Sequence, residues 1–331
     1  MLEMKNFGKN ILLFLIPLVI FIVGFDIYLW NINSIYKEKE KGLISNEDSI
    51  EILILGNSHA NYGVDPKQFT LDAYNIANVN QSIYFDKRLT LKYLNNLSKL
   101  KYVLISVDYH SLYFSSQGIR DIWSYYGNNI KYKNKSYLLP EISPFLFGYT
   151  PKVSVALLKK YIINTWKFKN ENIIDFNVEE GINLQDSILK GFITFEGTNE
   201  LEFQSNVIKN RAESFVSKGL NKSIKKEQEE ILADLEGFIA ILKNKGIKPI
   251  LFASPCYIDF NSYLHHDILL NNKQVINDLC QKFNIQFLDY SNSKQFYKSD
   301  FYNSDHLNKT GGAKFGKILN IEILKMKNIQ N

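Results

Sequence analysis

Between Ile11 and Phe25 the sequence carries no charged side chain, and after Asp26 the apolar character resumes through Ile27–Trp30. A helix rises about 1.5 Å per residue, so about 20 apolar residues cross the hydrocarbon core of a bilayer. The segment reaches that length if Asp26 lies at the interface, with Tyr28 and Trp30 as aromatic anchors. A cleaved signal peptide and a buried helix are the competing readings. Bulky residues fill Phe25 to Trp30 and leave no small-x-small cleavage site, which favours an uncleaved membrane anchor over residues 1–30. Lys5 and Lys9 precede the span, while Lys37, Lys39 and Lys41 follow it interleaved with Glu38 and Glu40. The lysines nearest the span lie before it, which favours an inside N-terminus. Residues 31–49 then read as a polar, flexible juxtamembrane linker. Later apolar runs are too short for a second span.

The remaining chain has the composition of a folded protein. Of 331 residues, 45% are hydrophobic and 22% charged, which excludes disorder as the main state. Two cysteines, Cys256 and Cys280, cannot build a disulfide framework or a zinc cluster by themselves; a single bridge between them stays open. A net charge of +5 is too mild to argue for a nucleic-acid partner.

Short apolar runs alternate with helical patterns. Ile52–Leu55, Ala73–Ala77, Tyr102–Val107, Ile247–Ala253 and Ile285–Leu288 read as strands. Residues 84–99, 226–244, 270–283 and Gly312 to Lys327 read as helices. The second presents Ile231, Leu235, Phe238, Ile239 and Leu242 on one side and ends at Gly246. This order predicts an α/β domain over 50–327 with a five-stranded parallel sheet covered on both faces. Residues 113–225 break the rhythm and read as an insertion with its own helices, leaving the sheet at a strand C-terminal end, where α/β proteins bind ligands.

Two stretches carry chemistry. In Gly56-Asn57-Ser58-His59 a serine follows the first strand directly and is placed to project into the ligand crevice. The bland alternative is a helix cap, since Asn57 and Ser58 both cap well. In Asn303-Ser304-Asp305-His306-Leu307-Asn308 a histidine precedes the last helix, in a loop that can return to the same sheet edge. There it could take a proton from Ser58; the bland alternative is a surface histidine.

Taken together, the motifs resemble the SGNH/GDSL hydrolase superfamily. Gly56-Asn57-Ser58-His59 is similar to its first block, with Ser58 as nucleophile, and His306-Leu307-Asn308 to its last. The stretches Asn61–Pro66 and Asn75–Ser82 are similar to membrane-anchored bacterial members. The resemblance covers residues 50–112 and 228–325. It implies a three-layer α/β/α, flavodoxin-like fold and acyl-ester chemistry without cofactor or metal. Anchored relatives include proteins that acetylate exported polysaccharides or handle D-alanyl groups of teichoic acids.

Departures from the family pattern define further candidates. The position three before the histidine, usually Asp, is Asn303, which could orient the ring but not stabilise imidazolium. Asp305 is adjacent to His306, and neighbouring side chains of an extended segment point apart. Asn80 stands where the family offers an oxyanion-hole glycine. Asp108 in Ser106-Val107-Asp108-Tyr109 replaces a donor asparagine, where an ionised carboxylate would repel an oxyanion. His110, His265-His266 and Cys256 carry weaker signals for a crevice residue, a metal pair and a nucleophile.

The expected function is a membrane-anchored esterase or O-acyltransferase acting on an acylated cell-envelope glycan, with a membrane-bound acyltransferase or polymer-export protein as partner. The rival is a non-catalytic binding or scaffold protein on a degenerate hydrolase fold. Either reading puts the large domain outside the inner or plasma membrane. Protease added to intact spheroplasts is therefore expected to digest it; protection until lysis would reverse the topology.

Overall fold

The structure is a computed structural model and describes residues 2–31, 35–115, 130, 142–148, 154–155, 158–159, 189–215 and 222–328. Much of the insertion expected over 113–225 lies outside the described residues. The chain divides into two compact units, one of Met1–Lys37 with Gln117–Phe176 and one of Glu38–Ser116 with Asn177–Asn331.

In the first unit, helix α1 (Leu2–Asn31) contains Lys9–Asn31, which is long and apolar enough to cross a membrane. Asp26, the one acidic residue in that stretch, is buried and accepts a hydrogen bond from the Phe145 backbone N–H at 2.8 Å. The Phe145 ring meets Phe25 edge-on at 5.2 Å.

Helix α2 (Ile35–Ser45) replaces the flexible linker expected over 31–49. Its Leu43 joins the core of the second unit. Lys39 is fully buried and donates to Asn61 Oδ1 and to the Ala77 carbonyl, each at 2.5 Å. Alternating Lys and Glu disguised this helix as solvated chain.

The second unit is an α/β domain. Strands β1 (Ile52–Leu55), β2 (Ala73–Asn75), β3 (Tyr102–Ser106), β4 (Lys248–Ala253) and β5 (Gln286–Asp289) form one all-parallel sheet in the order β2-β1-β3-β4-β5. Successive strand residues point to opposite faces, and both faces are covered, which is why β1 and β3 read as continuous apolar runs. Leu53, Leu55, Val103, Ile105 and Leu251 pack on one face with α4 (Ile83–Tyr93) and α6 (Lys222–Asn244), whose Leu235, Phe238 and Ile239 are fully buried. Ile52, Ile54, Leu104, Ile250 and Phe252 pack on the other with Phe315, Leu319 and Ile323 of α9 (Lys309–Asn328). Between β4 and β5 lie the short α7 (Ile258–Ser262) and α8 (His266–Phe283). The expected insertion contributes α5 (Ser205–Phe215) among the described residues.

Strand order reverses between β1 and β3, which opens a crevice beyond the C-terminal ends of those strands. The short α3 (Ser58–Gly63) starts there, held from below by Asn75, whose amide donates to the Ala60 and Val64 carbonyls at 2.9 Å each. On the far side, the loop before α9 folds on itself through a Phe301–Leu307 bridge and the Tyr302 N–H to His306 carbonyl bond at 2.9 Å. Asn308 caps α9, accepting from the Gly311 N–H at 3.1 Å. A Cβ on Gly311 would strike the Asp300 carbonyl oxygen, so only glycine lets the helix seat against this loop.

Gly311→Ala is expected to lower stability by about 1–3 kcal/mol, the range for overpacking against an obstacle that cannot rotate away. Urea denaturation checks it; an unchanged midpoint would mean the loop yields freely.

Candidate active site

Asn57, two residues after β1, is extended and caps α3; its side-chain carbonyl accepts the His59 N–H at 2.9 Å, turning the chain into α3 with Ser58 at its first position. The cap reading of Asn57 thus holds together with the placement of Ser58 at the crevice. His306 Nε2 lies 2.9 Å from Ser58 Oγ, although the two residues are 248 positions apart. Ser58 is half-buried and His306 buried.

Asn303 contacts the His306 ring through its amide NH2 group rather than by accepting an imidazole N–H. Its Oδ1 accepts the backbone N–H groups of His306 (2.8 Å) and Asp305 (3.2 Å), so its NH2 group is what faces His306 Nδ1, at 3.3 Å. Asp300, six residues before His306, is engaged elsewhere: it binds the Tyr297 N–H and Lys314.

Asp108 and Asp305 were candidates for the pocket wall, and the structure turns both away from it. Each is drawn to His59, which is buried between them. Its Nδ1 lies 3.4 Å from Asp108 Oδ1 and its Nε2 3.4 Å from Asp305 Oδ2. The Asp108 contact lacks hydrogen-bond alignment and acts through charge. Burial opposes a charge on His59, but the Asp108 and Asp305 carboxylates outweigh it and push its pKa up to about 10. Reciprocally, Asp108 is brought down to about 2 against its own burial, by His59 and by the Ser106 hydroxyl, 2.5 Å away. Asp108 Oδ1 also accepts the Ser254 N–H at 2.9 Å.

Arg211 of α5 completes the cluster. Its Nε donates to Asp305 Oδ1, and its terminal NH2 nitrogen lies 3.1 Å from His306 Nδ1. Asp305 is held well below the usual carboxylate range against its burial, first by the Arg211 guanidinium. His306 is pulled down to about 3, first by burial and then, against the attraction of Asp305, by the positive charges of Arg211 and His59. Donor atoms of His59, Asp305 and His306 converge within 4.8 Å, a spacing that could hold a metal ion. The guanidinium already occupies the side of that group between Asp305 and His306 Nδ1.

A cavity of about 260 Å³ opens beside Ser58, with Asn80, Asp86, His110 and Phe215 among its lining residues. Asn80 adopts φ 58°, the left-handed conformation that favours glycine, and its backbone N–H takes no partner among the described residues. His110 does enter the crevice. It receives the Asn57 amide at 3.2 Å, stacks on Phe215 at 4.6 Å, and is lowered to about 4, first by burial. His265 and His266 stand at the start of α8, with His266 exposed. Cys256 and Cys280 are free, and desolvation holds the Cys256 thiol well above its ordinary range, which disfavours the thiolate.

Three functional side chains carried no assignment from sequence. His59 sat inside the serine motif with no apparent role. Arg211 lay in an insertion without pattern. Asp86 did leave a signal: it shares helical spacing with the buried Leu89, Thr90 and Tyr93. Its Oδ1 accepts the Gly56 N–H (3.1 Å) and the Gln81 amide (2.6 Å), tying α4 to the turn before Ser58. No protein-family model and no curated protein matches this sequence.

Burial raises Asp86 to about 7 from its model-peptide value of 3.8. A folded-state pKa above the unfolded one stabilises the fold at low pH and loses that contribution as pH rises through about 7. Asp86→Asn keeps the Oδ1 bonds and removes the ionisation. Its melting temperature relative to wild type is expected to rise between about pH 5 and pH 8; a gap independent of pH would reject a neutral buried Asp86.

Proposed function

We propose that the chain is an SGNH/GDSL-like serine esterase or O-acyltransferase, anchored in the inner or plasma membrane with its α/β unit on the extracytoplasmic side. The observation that supports this reading best is the 2.9 Å contact between Ser58 Oγ and His306 Nε2, beside a cavity at the switch point of a parallel sheet. The sheet order and the two covered faces fit the three-layer, flavodoxin-like fold of that superfamily. In the reaction, Ser58 Oγ attacks the carbonyl carbon of an acyl ester while its proton passes to His306 Nε2. The Asn80 N–H, without a partner among the described residues, is a candidate donor to the oxyanion. The proton then goes to the leaving sugar oxygen, and the acyl group passes to water or another hydroxyl. An acylated envelope glycan is the substrate class that the anchor and the family resemblance favour, with a polymer-export protein or membrane-bound acyltransferase as partner.

A second reading, a non-catalytic binding protein on the same fold, is favoured by one observation. His306 Nδ1 faces two donors, Asn303 and Arg211, where a triad would present a carboxylate. A serine-reactive fluorophosphonate separates the two. Labelling of the intact protein that disappears in Ser58→Ala is expected; absence of labelling in the folded protein would favour the binding reading.

A further inference from the structure

We propose that Arg211 is a positioning residue that keeps the His306 proton on Nε2, so that in the resting site Ser58 faces a hydrogen-bond donor and not a base. The consequence for turnover rests on Ser58 being the nucleophile; the placement of the proton does not.

A guanidinium can only donate, so the Arg211 nitrogen 3.1 Å from His306 Nδ1 requires a bare lone pair there. The Asn303 amide makes the same demand independently. Its orientation is set by the two backbone N–H groups on Oδ1, which leaves the NH2 group 3.3 Å from Nδ1. Both neighbours of Nδ1 are therefore donors. A neutral imidazole with a bare Nδ1 carries its hydrogen on Nε2, and that nitrogen points at Ser58 Oγ, 2.9 Å away.

The imidazolium alternative would set an Nδ1–H against two N–H donors in a buried site. The groups around the ring decide against it. Arg211 and the charged His59, whose ring centre lies 5.3 Å away, oppose a further positive charge; Tyr62 meets the ring edge-on at 5.2 Å. Among the described residues the carboxylate paired with Nδ1 is Asp305, with Oδ1 3.8 Å away, and it is engaged by Arg211 and His59.

For Nε2 to accept a proton from Ser58, the ring hydrogen must sit on Nδ1, which needs an acceptor. Withdrawal of the guanidinium would remove one donor from Nδ1 and release Asp305 Oδ1 as that acceptor. Arg211 is partly exposed and lies on α5 rather than on the sheet, so it is the member of the pair that a ligand can reach. An anionic group binding Arg211 would act in the same direction.

The test uses the full chain in detergent with 15N-labelled histidine. Long-range 1H–15N spectra report which ring nitrogen of His306 is protonated, and fluorophosphonate labelling reports Ser58 reactivity. Wild type is expected to show a protonated Nε2 and bare Nδ1. Arg211→Met is expected to raise the Nδ1–H to Nε2–H ratio by about tenfold, the scale of one lost charge-assisted bond, with a matching rise in labelling rate; Arg211→Lys should restore the wild-type ratio. If Arg211→Met does not fold, Asn303→Asp supplies an acceptor at Nδ1 and should move the proton there. A wild-type Nδ1–H, or a ratio unchanged in folded Arg211→Met, would overturn the proposal. An altered ratio with a slower or unchanged labelling rate would overturn the restraint on Ser58. Complete absence of labelling with the expected ratios would sink the hydrolase reading alone and uphold the proton placement.

Discussion

Two carboxylates buried at the edge of a sheet cannot both stay ionised without cations beside them. Asp108 and Asp305 are buried, and removing an isolated carboxylate from water costs several kcal/mol even after relaxation. His59 lies between them and Arg211 lies against Asp305. Two negative charges are thus matched by an imidazolium and a guanidinium. These four side chains come from the start of α3, from the turn after β3, from the loop before α9 and from α5, so charge balance helps fix how those segments meet above the sheet.

This balance decides the character of the neighbouring histidines. With His59 already positive, a second imidazolium nearby is opposed by charge as well as by burial, and His306 and His110 are both pushed toward the neutral form. A neutral ring with a low pKa is a weak base, because general-base strength follows pKa. The cluster therefore gains a rigid edge for the crevice at the expense of basicity beside Ser58. On the proposed reading, the location of one ring hydrogen, rather than the presence of a serine and a histidine, decides whether Ser58 can be activated.

The sheet was readable because its strands other than β5 are mostly buried on both faces: short, mainly apolar runs with helical patterns between them leave little choice of architecture. β5 was readable despite partial exposure, since the amphipathic α8 and its left-handed Asn284 stop just before it. Ser58 and His306 were readable because each follows a strand or precedes a helix at the same sheet edge. What stayed hidden depends on long-range charge. Lys39 reads as a solvated lysine until Asn61 and the Ala77 carbonyl close around it. Asp108 and Asp305 read as pocket residues because sequence does not show that His59 lies between them. Arg211 sits 94 residues from its aspartate, in a stretch with no period to announce it.

The same balance gives residue 303 a meaning that the motif alone does not. Against the hydrolase motif that the sequence resembles, Asn303 stands where a carboxylate is expected. Within the cluster, a carboxylate there would be a third buried anion beside Asp305, with His59 and Arg211 already matched to the two that exist. It would find its counter-charge only by placing a proton on His306 Nδ1, the state that Arg211 opposes. An asparagine adds no charge, and its amide serves both neighbours: Oδ1 satisfies two backbone N–H groups of the loop and the NH2 group satisfies the bare Nδ1. Asn303, Asp305 and Arg211 therefore form one self-consistent set around His306 Nδ1, in which the two donors and the one carboxylate each have a partner.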